Sequence, residues 1–146
     1  MGALDRFRSS GDPNRLEEAA AGVLLAVIRA DGEFQDEEVQ TWKAIIYRHP
    51  IFRRQPPDTF NPMMERVRAS LDNEPWREVL ARWSANIPAE LRPTVFALAI
   101  ELVLSDETVT DSERTVIGYL QNTLQIPDQL ASNIISVISI RAGLLQ

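Results

Sequence analysis

Apolar residues along this chain recur mostly at intervals of three and four, and prolines and polar turn residues divide them into seven segments. That spacing lines one face of a helix. Leu16, Ala20, Val23 and Val27, with Leu24 and Ile28, predict a first helix over about 16–30. Nearly every position after Ala19 is apolar, so this helix is expected to be buried on most sides. Gly32, which tolerates positive φ, is expected to end it. A second helix over about 36–48 carries Val39, Trp42, Ile45 and Ile46 as its buried stripe. Pro50, Pro56 and Pro57 predict a loop. A third helix is expected to open at Asn61-Pro62, a cap followed by a first-turn proline, and to run to about Leu71. A fourth over 75–85 sets Trp76, Val79, Leu80 and Trp83 on one side. A fifth covers 89–105, with Pro93 in its first turns, and a sixth covers 111–124.

The seventh segment, 127–141, is ambiguous by propensity. Its stretch Ile134-Ile135-Ser136-Val137-Ile138-Ser139-Ile140 is rich in β-branched residues and suits a strand. A strand needs a partner, and no other segment of the chain is a strand candidate. Leu130, Ile134, Val137 and Arg141 also keep helical spacing, so a helix is predicted. The expected fold is an all-α, single-domain bundle of about seven helices. Residues 1–14 are expected to be a flexible tail ending in Ser-Gly-Asp-Pro-Asn turn chemistry, and residues 15–146 the folded domain.

Two segments repeat at an offset of 75 residues. Val27-Ile28-Arg29-Ala30-Asp31-Gly32-Glu33-Phe34-Gln35-Asp36-Glu37-Glu38 aligns without gaps on Leu102-Val103-Leu104-Ser105-Asp106-Glu107-Thr108-Val109-Thr110-Asp111-Ser112-Glu113. Asp31 falls on Asp106, Asp36 on Asp111 and Glu38 on Glu113, and the apolar Phe34 falls on Val109. The pattern predicts a duplicated acidic helix-turn-helix, helices one and two echoed by helices five and six about a pseudo-twofold.

Charge narrows the class. The net charge of −6 is concentrated in residues 101–146, where Glu101, Asp106, Glu107, Asp111, Glu113 and Asp128 are set against only Arg114 and Arg141. Nucleic-acid binding rests on neutralising phosphates and is disfavoured by this balance. The basic cluster Arg48, His49, Arg53 and Arg54 is short and reads as solvated surface or a partner contact. There is no Cys, so neither disulfides nor thiolate zinc sites form. The first residues lack the apolar core of a signal peptide. The longest apolar run, 19–28, is half of a bilayer span. A soluble cytoplasmic protein is expected.

Enzymatic chemistry finds little support. His49 is the only His, so paired Glu-x-x-His di-iron ligands are excluded. No Cys nucleophile and no strand-borne phosphate loop exist. Trp42, Trp76 and Trp83 are expected in the core. Glu101 stands out because it interrupts the apolar run 95–104. Three placements are open to it: the bundle edge, a pair with an Arg, or a position facing the acidic turn.

The acidic turns admit two readings. Helix N-termini present unpaired N–H groups and a positive dipole end, so acids gather there for stability alone. Thr110-x-x-Glu113 matches a capping box, and Asp36 or Asp111 could cap directly. Against this, the first turn holds Asp31, Glu33, Asp36, Glu37 and Glu38, more than capping uses. Two carboxylates ~6 Å apart repel by roughly 2–3 kcal/mol at an effective dielectric of 20, a repulsion that a bound cation would relieve. Oxygen-only ligands suit Ca²⁺ or Mg²⁺, although the spacing is not that of an EF-hand. The candidate ligands are Asp31, Glu33, Asp36, Glu38, Asp106, Asp111 and Glu113. A metal-free alternative uses the same acidic face to dock a basic partner.

The string Ala30-Asp31-Gly32-Glu33-Phe34 with Asp36-Glu37-Glu38, echoed by Ser105-Asp106-Glu107-Thr108-Val109 with Asp111-Ser112-Glu113, resembles the TerB-like family over roughly residues 16–141. The second copy carries Glu107 where Gly is usual and Thr108 where an acid can stand. The resemblance implies an all-helical domain of tellurite-resistance and stress-response type, not an enzyme. It also implies cation binding or partner binding, with membrane-bound or calcium-binding proteins of the same system as partners.

Overall fold

Helix α1 (Arg15–Ile28) is the axis of the fold in the computed structural model, which describes residues 15–29, 36–52, 57–104 and 109–143. Around it lie α2 (Asp36–Arg48), α3 (Pro57–Asn73), α4 (Trp76–Ala85), α5 (Arg92–Val103), α6 (Asp111–Thr123) and α7 (Asp128–Arg141). A 3₁₀ turn, Ala89–Leu91, leads into α5. Every described residue is helical or in a turn or connection, and the all-α expectation holds. Among the described residues no helix is long and apolar enough to cross a membrane.

The near-continuous apolar sequence of α1 has the predicted consequence. It packs against α2, α3, α4, α5 and α6, and from Leu16 to Val27 only Glu18 is more than buried-level exposed. Glu17 is the charged exception in this core, 2% exposed in the first turn. That location sets its carboxylate at the N-terminal end of the helix, where the peptide dipoles favour negative charge. At Gly22 the α1 backbone meets Trp83 of α4 so closely that a Cβ would lie 2.5 Å from the indole ring. Only glycine permits that approach. Trp42 Nε1–H donates to the Ala21 carbonyl at 3.3 Å and ties the middle of α2 to the middle of α1. Between the peripheral helices, Arg82 makes a two-pronged bond to Glu74 at 2.9 and 3.0 Å, which holds the Glu74 carboxyl below the ordinary range for a glutamate.

Three details differ from the sequence expectation. Helix α3 begins at Pro57, not at Asn61-Pro62, and carries Pro62 inside it. A proline at the first helical position loses no helical hydrogen bond, which makes Pro57 a starting residue and not part of a loop. Pro62 forgoes the bond to the carbonyl of Asp58, and both residues are exposed, so water can satisfy that oxygen. Trp42 and Trp83 are core residues, but Trp76 is half-buried, edge-on to Tyr119 at 5.4 Å with the Arg77 guanidinium over its ring at 4.8 Å. Finally, α7 is a helix as predicted, yet it turns Ala131 and Ser139 to the core while Val137 stands out in solvent.

Candidate functional site

The second acidic turn joins α5 to α6. Val109 is half-buried against the core, as an apolar plug should be. Thr110 then caps α6 in extended conformation: its hydroxyl accepts from the Glu113 N–H at 3.1 Å, and the Glu113 carboxylate accepts from the Thr110 N–H at 3.0 Å. The capping box expected from Thr110-x-x-Glu113 is therefore formed, and Glu113 is held in it. Asp111 is not the cap. It occupies the first helical position, its side chain fully exposed at 102%, with Arg114 3.9 Å away. A pair that long between exposed groups contributes little.

The first turn joins α1 to α2 in the same register. Helix α1 ends at Ile28 and α5 at Val103, α2 begins at Asp36 and α6 at Asp111, and α2 ends at Arg48 and α6 at Thr123. Each pair differs by 75 residues. Asp36 is accordingly the first residue of its helix, like Asp111. Asp31, Glu33 and Asp106 lie outside the described residues, as do the side chains of Asp36 and Glu38. Of the seven candidate ligands, Asp111 and Glu113 are brought into one helical turn. Among the described residues no three carboxylate or imidazole side chains converge as a metal-binding set.

Glu101 finds a different environment from the acidic turn. It lines a groove of about 590 Å³ between α5 and α7, in company with Arg141 and His49. The floor is apolar, formed by Ala97, Leu98 and Ile138. Sequence reasoning singled out Glu101 but missed the groove, because the groove depends on how α7 crosses α5. His49 is half-buried at its edge and not simply a surface residue; its Nδ1 accepts from the Ile51 N–H at 3.2 Å. In that bonded form the remaining ring proton of neutral His49 sits on Nε2. Asp36 starts the helix that His49 follows, so roughly 18 Å of helix axis separates the first acidic turn from this groove.

No curated protein and no solved structure shows a significant match to the chain. A family model does match, that of tellurite resistance protein TerB, over residues 17–134. This stretch runs from the first turn of α1 to the middle of α7 and takes in both acidic turns and the groove-lining part of α5. The chain belongs to the tellurite resistance protein TerB family.

Proposed function

We propose that this chain is a non-enzymatic cytoplasmic module of tellurite-resistance and stress-response type, whose acidic turns hold a divalent cation. The observation that carries the reading is the division of labour in the second turn. Thr110 and Glu113 complete the cap between them, so Asp111, left fully exposed, is not used by the cap. The first turn has a larger surplus. In sequence it carries Asp31, Glu33, Asp36, Glu37 and Glu38, with Gln35 where the second turn has Thr110. Hard carboxylate oxygens suit Ca²⁺ or Mg²⁺, and Asp31, Glu33, Asp36, Glu38, Asp106 and Asp111 are the donors to choose from. Glu113 is the weakest of the original seven because its carboxylate already serves the cap.

The metal-free reading has its own support. The described carboxylates do not converge, and an exposed Asp111 serves equally well to meet a basic segment of a partner protein, membrane-bound or calcium-binding. Calorimetric titration of Ca²⁺, Mg²⁺, Mn²⁺ and Zn²⁺ into wild type, Asp31→Asn and Asp106→Asn separates the two. The cation reading expects binding tighter than about 1 mM, the weak end of known calcium modules. Silence with all four ions ends it in favour of partner docking. Loss in both variants means a shared site, and loss in Asp31→Asn alone means that the first turn acts by itself.

A further inference from the structure

The groove beside α5 is lined from that helix by Thr94, Ala97, Leu98, Glu101 and Leu104. Their spacing of three and four residues makes them one stripe along the helix, about 15 Å long. At the 75-residue offset, the same stripe of α1 is Ala19, Gly22, Val23, Ala26 and Arg29. The two stripes differ in what covers them. On α1 the first four residues are buried, Gly22 lies against the Trp83 ring of α4, and Arg29 pairs with Asp72 of α3. On α5 only Leu98 is buried, while Thr94, Ala97, Glu101 and Leu104 are half-exposed. Helix α7 borders this stripe with Ile138 and Arg141 and leaves the groove between them.

The fold thus contains its own example of what lies on such a stripe. Helix α4 has ten residues and so is about 15 Å long, the length of the stripe. It turns an apolar face, Val79, Leu80 and Trp83, to the core. Ala97 has a methyl group where α1 has only glycine, so the residue set against it must be slimmer than the indole of Trp83. Charge refines the occupant further. Among the described residues neither Glu101 nor Arg141 has an ion-pair partner, so each can meet an incoming group. The net charge of −6 repels a second copy of the chain and draws a segment that carries basic residues.

We infer that the α5 stripe is a docking site for an amphipathic helix of a partner protein, about three turns long, with apolar residues on Ala97 and Leu98, a basic residue at Glu101 and an acidic residue at Arg141. This is the helix-in-groove mode of recognition, read through anchors at i, i+3, i+4 and i+7. It rests on the groove and not on the acidic turns, so it holds whether or not those turns bind a cation.

The probes that test it are peptides copying residues 75–86 with Trp83→Leu, Trp83→Met or Trp83→Phe. Isolated helices this short are marginal in water, so each is stapled across the exposed positions 77 and 81. Each is titrated into the isotope-labelled full chain to about 1 mM and followed by NMR. At least one should give saturable shifts at Ala97, Glu101 and Ile138. Ala97→Arg, with its fold checked by circular dichroism, should weaken that binding at least about tenfold. A charge arm uses the best peptide in two forms, with positions 78 and 82 both Lys or both Glu. Glu101→Lys, at a half-exposed position that tolerates the change, should lower the ratio of Lys-form to Glu-form affinity at least about threefold, the scale of one exposed ion pair. A merely misfolded variant would weaken both forms alike. Silence from all three peptides overturns the inference, as do shifts centred on Gly22, which mean that the peptide replaces α4 instead. A ratio unmoved by Glu101→Lys overturns it too. So does self-association of wild type in sedimentation velocity that Ala97→Arg abolishes, which makes a second copy the occupant.

Discussion

The helical pairs α1–α2 and α5–α6 keep one register and solve the same local problems with different residues. In the first pair Gly22 of α1 lies against Trp83 of α4, while the matching position of the second is Ala97, half-buried on the groove floor. Four residues closer to the turn, the buried Ala26 corresponds to Glu101. The helix ends differ as well. After α2 the chain continues through Pro50, with the His49 ring accepting the Ile51 N–H and the His49 carbonyl accepting the Phe52 N–H. After α6 the matching residue is Gln125, left-handed at φ 57°, and its N–H bonds to the Asn122 carbonyl while the Ile126 N–H bonds to that of Gln121. That is a Schellman ending with Gln in the place glycine usually takes. Equal spacing therefore does not mean interchangeable residues, and exchanging matched residues measures how far the two pairs differ.

The largest effect is expected from moving the proline. Gln125→Pro asks for φ near −65° where the backbone sits at +57°, and it deletes the N–H that bonds Asn122. A loss of about 3 kcal/mol or more should appear as a fall in the urea midpoint with little change in slope. An unchanged midpoint would mean that the two helix ends are equivalent after all.

Next comes the crossing. Gly22→Ala gains roughly 1 kcal/mol of helix propensity, but its methyl group would overlap three atoms of the Trp83 ring at 2.5–2.6 Å. The indole is rigid and buried, and overpacking of this kind costs typically 1–3 kcal/mol, occasionally more. We expect a net loss of about 2 kcal/mol by thermal or urea unfolding. Ala97→Gly at the matched site should lose only the propensity term, about 1 kcal/mol. The comparison breaks if Gly22→Ala is stabilising.

These contrasts also mark what was legible in the sequence. Periodicity located the seven helices of the described residues, because Leu16 through Val27 and the stripes Trp42–Ile46 and Val79–Trp83 are statements about which side faces the core. Capping chemistry located the start of α6 through Thr110 and Glu113. Family resemblance rested on the same acidic strings and is supported by the family match. The position of Pro62 was misjudged because a proline in an exposed early turn is tolerated when water can reach the freed carbonyl. The ridge at Val137 and Ile140 was invisible to pattern reading, since an apolar residue on a helix is assumed to point inward. The groove and the Gly22–Trp83 contact depend on how distant helices cross, which local spacing does not encode.

The smallest predicted effect addresses the turns themselves. Thr110→Ala removes a formed cap and should cost about 1 kcal/mol, within the 0.5–2 kcal/mol range for such substitutions. The reciprocal change is more informative. The residue matched to Thr110 is Gln35, and Glu38 already stands at the position of Glu113. Gln35→Thr would therefore write a complete Thr-x-x-Glu capping box at the start of α2, with an expected gain of up to about 1 kcal/mol. If the first turn uses Glu38 as a cation ligand, the new cap competes for that carboxylate. Affinity for Ca²⁺ should then fall as stability rises, whereas Glu113→Ala should lower stability and leave affinity alone. Both variants tested by calorimetry and urea unfolding give a crossed pattern that neither capping alone nor metal binding alone produces. A gain in stability from Gln35→Thr with cation affinity unmoved would remove Glu38 from the site and leave Asp31, Glu33 and Asp36 as the ligands of the first turn.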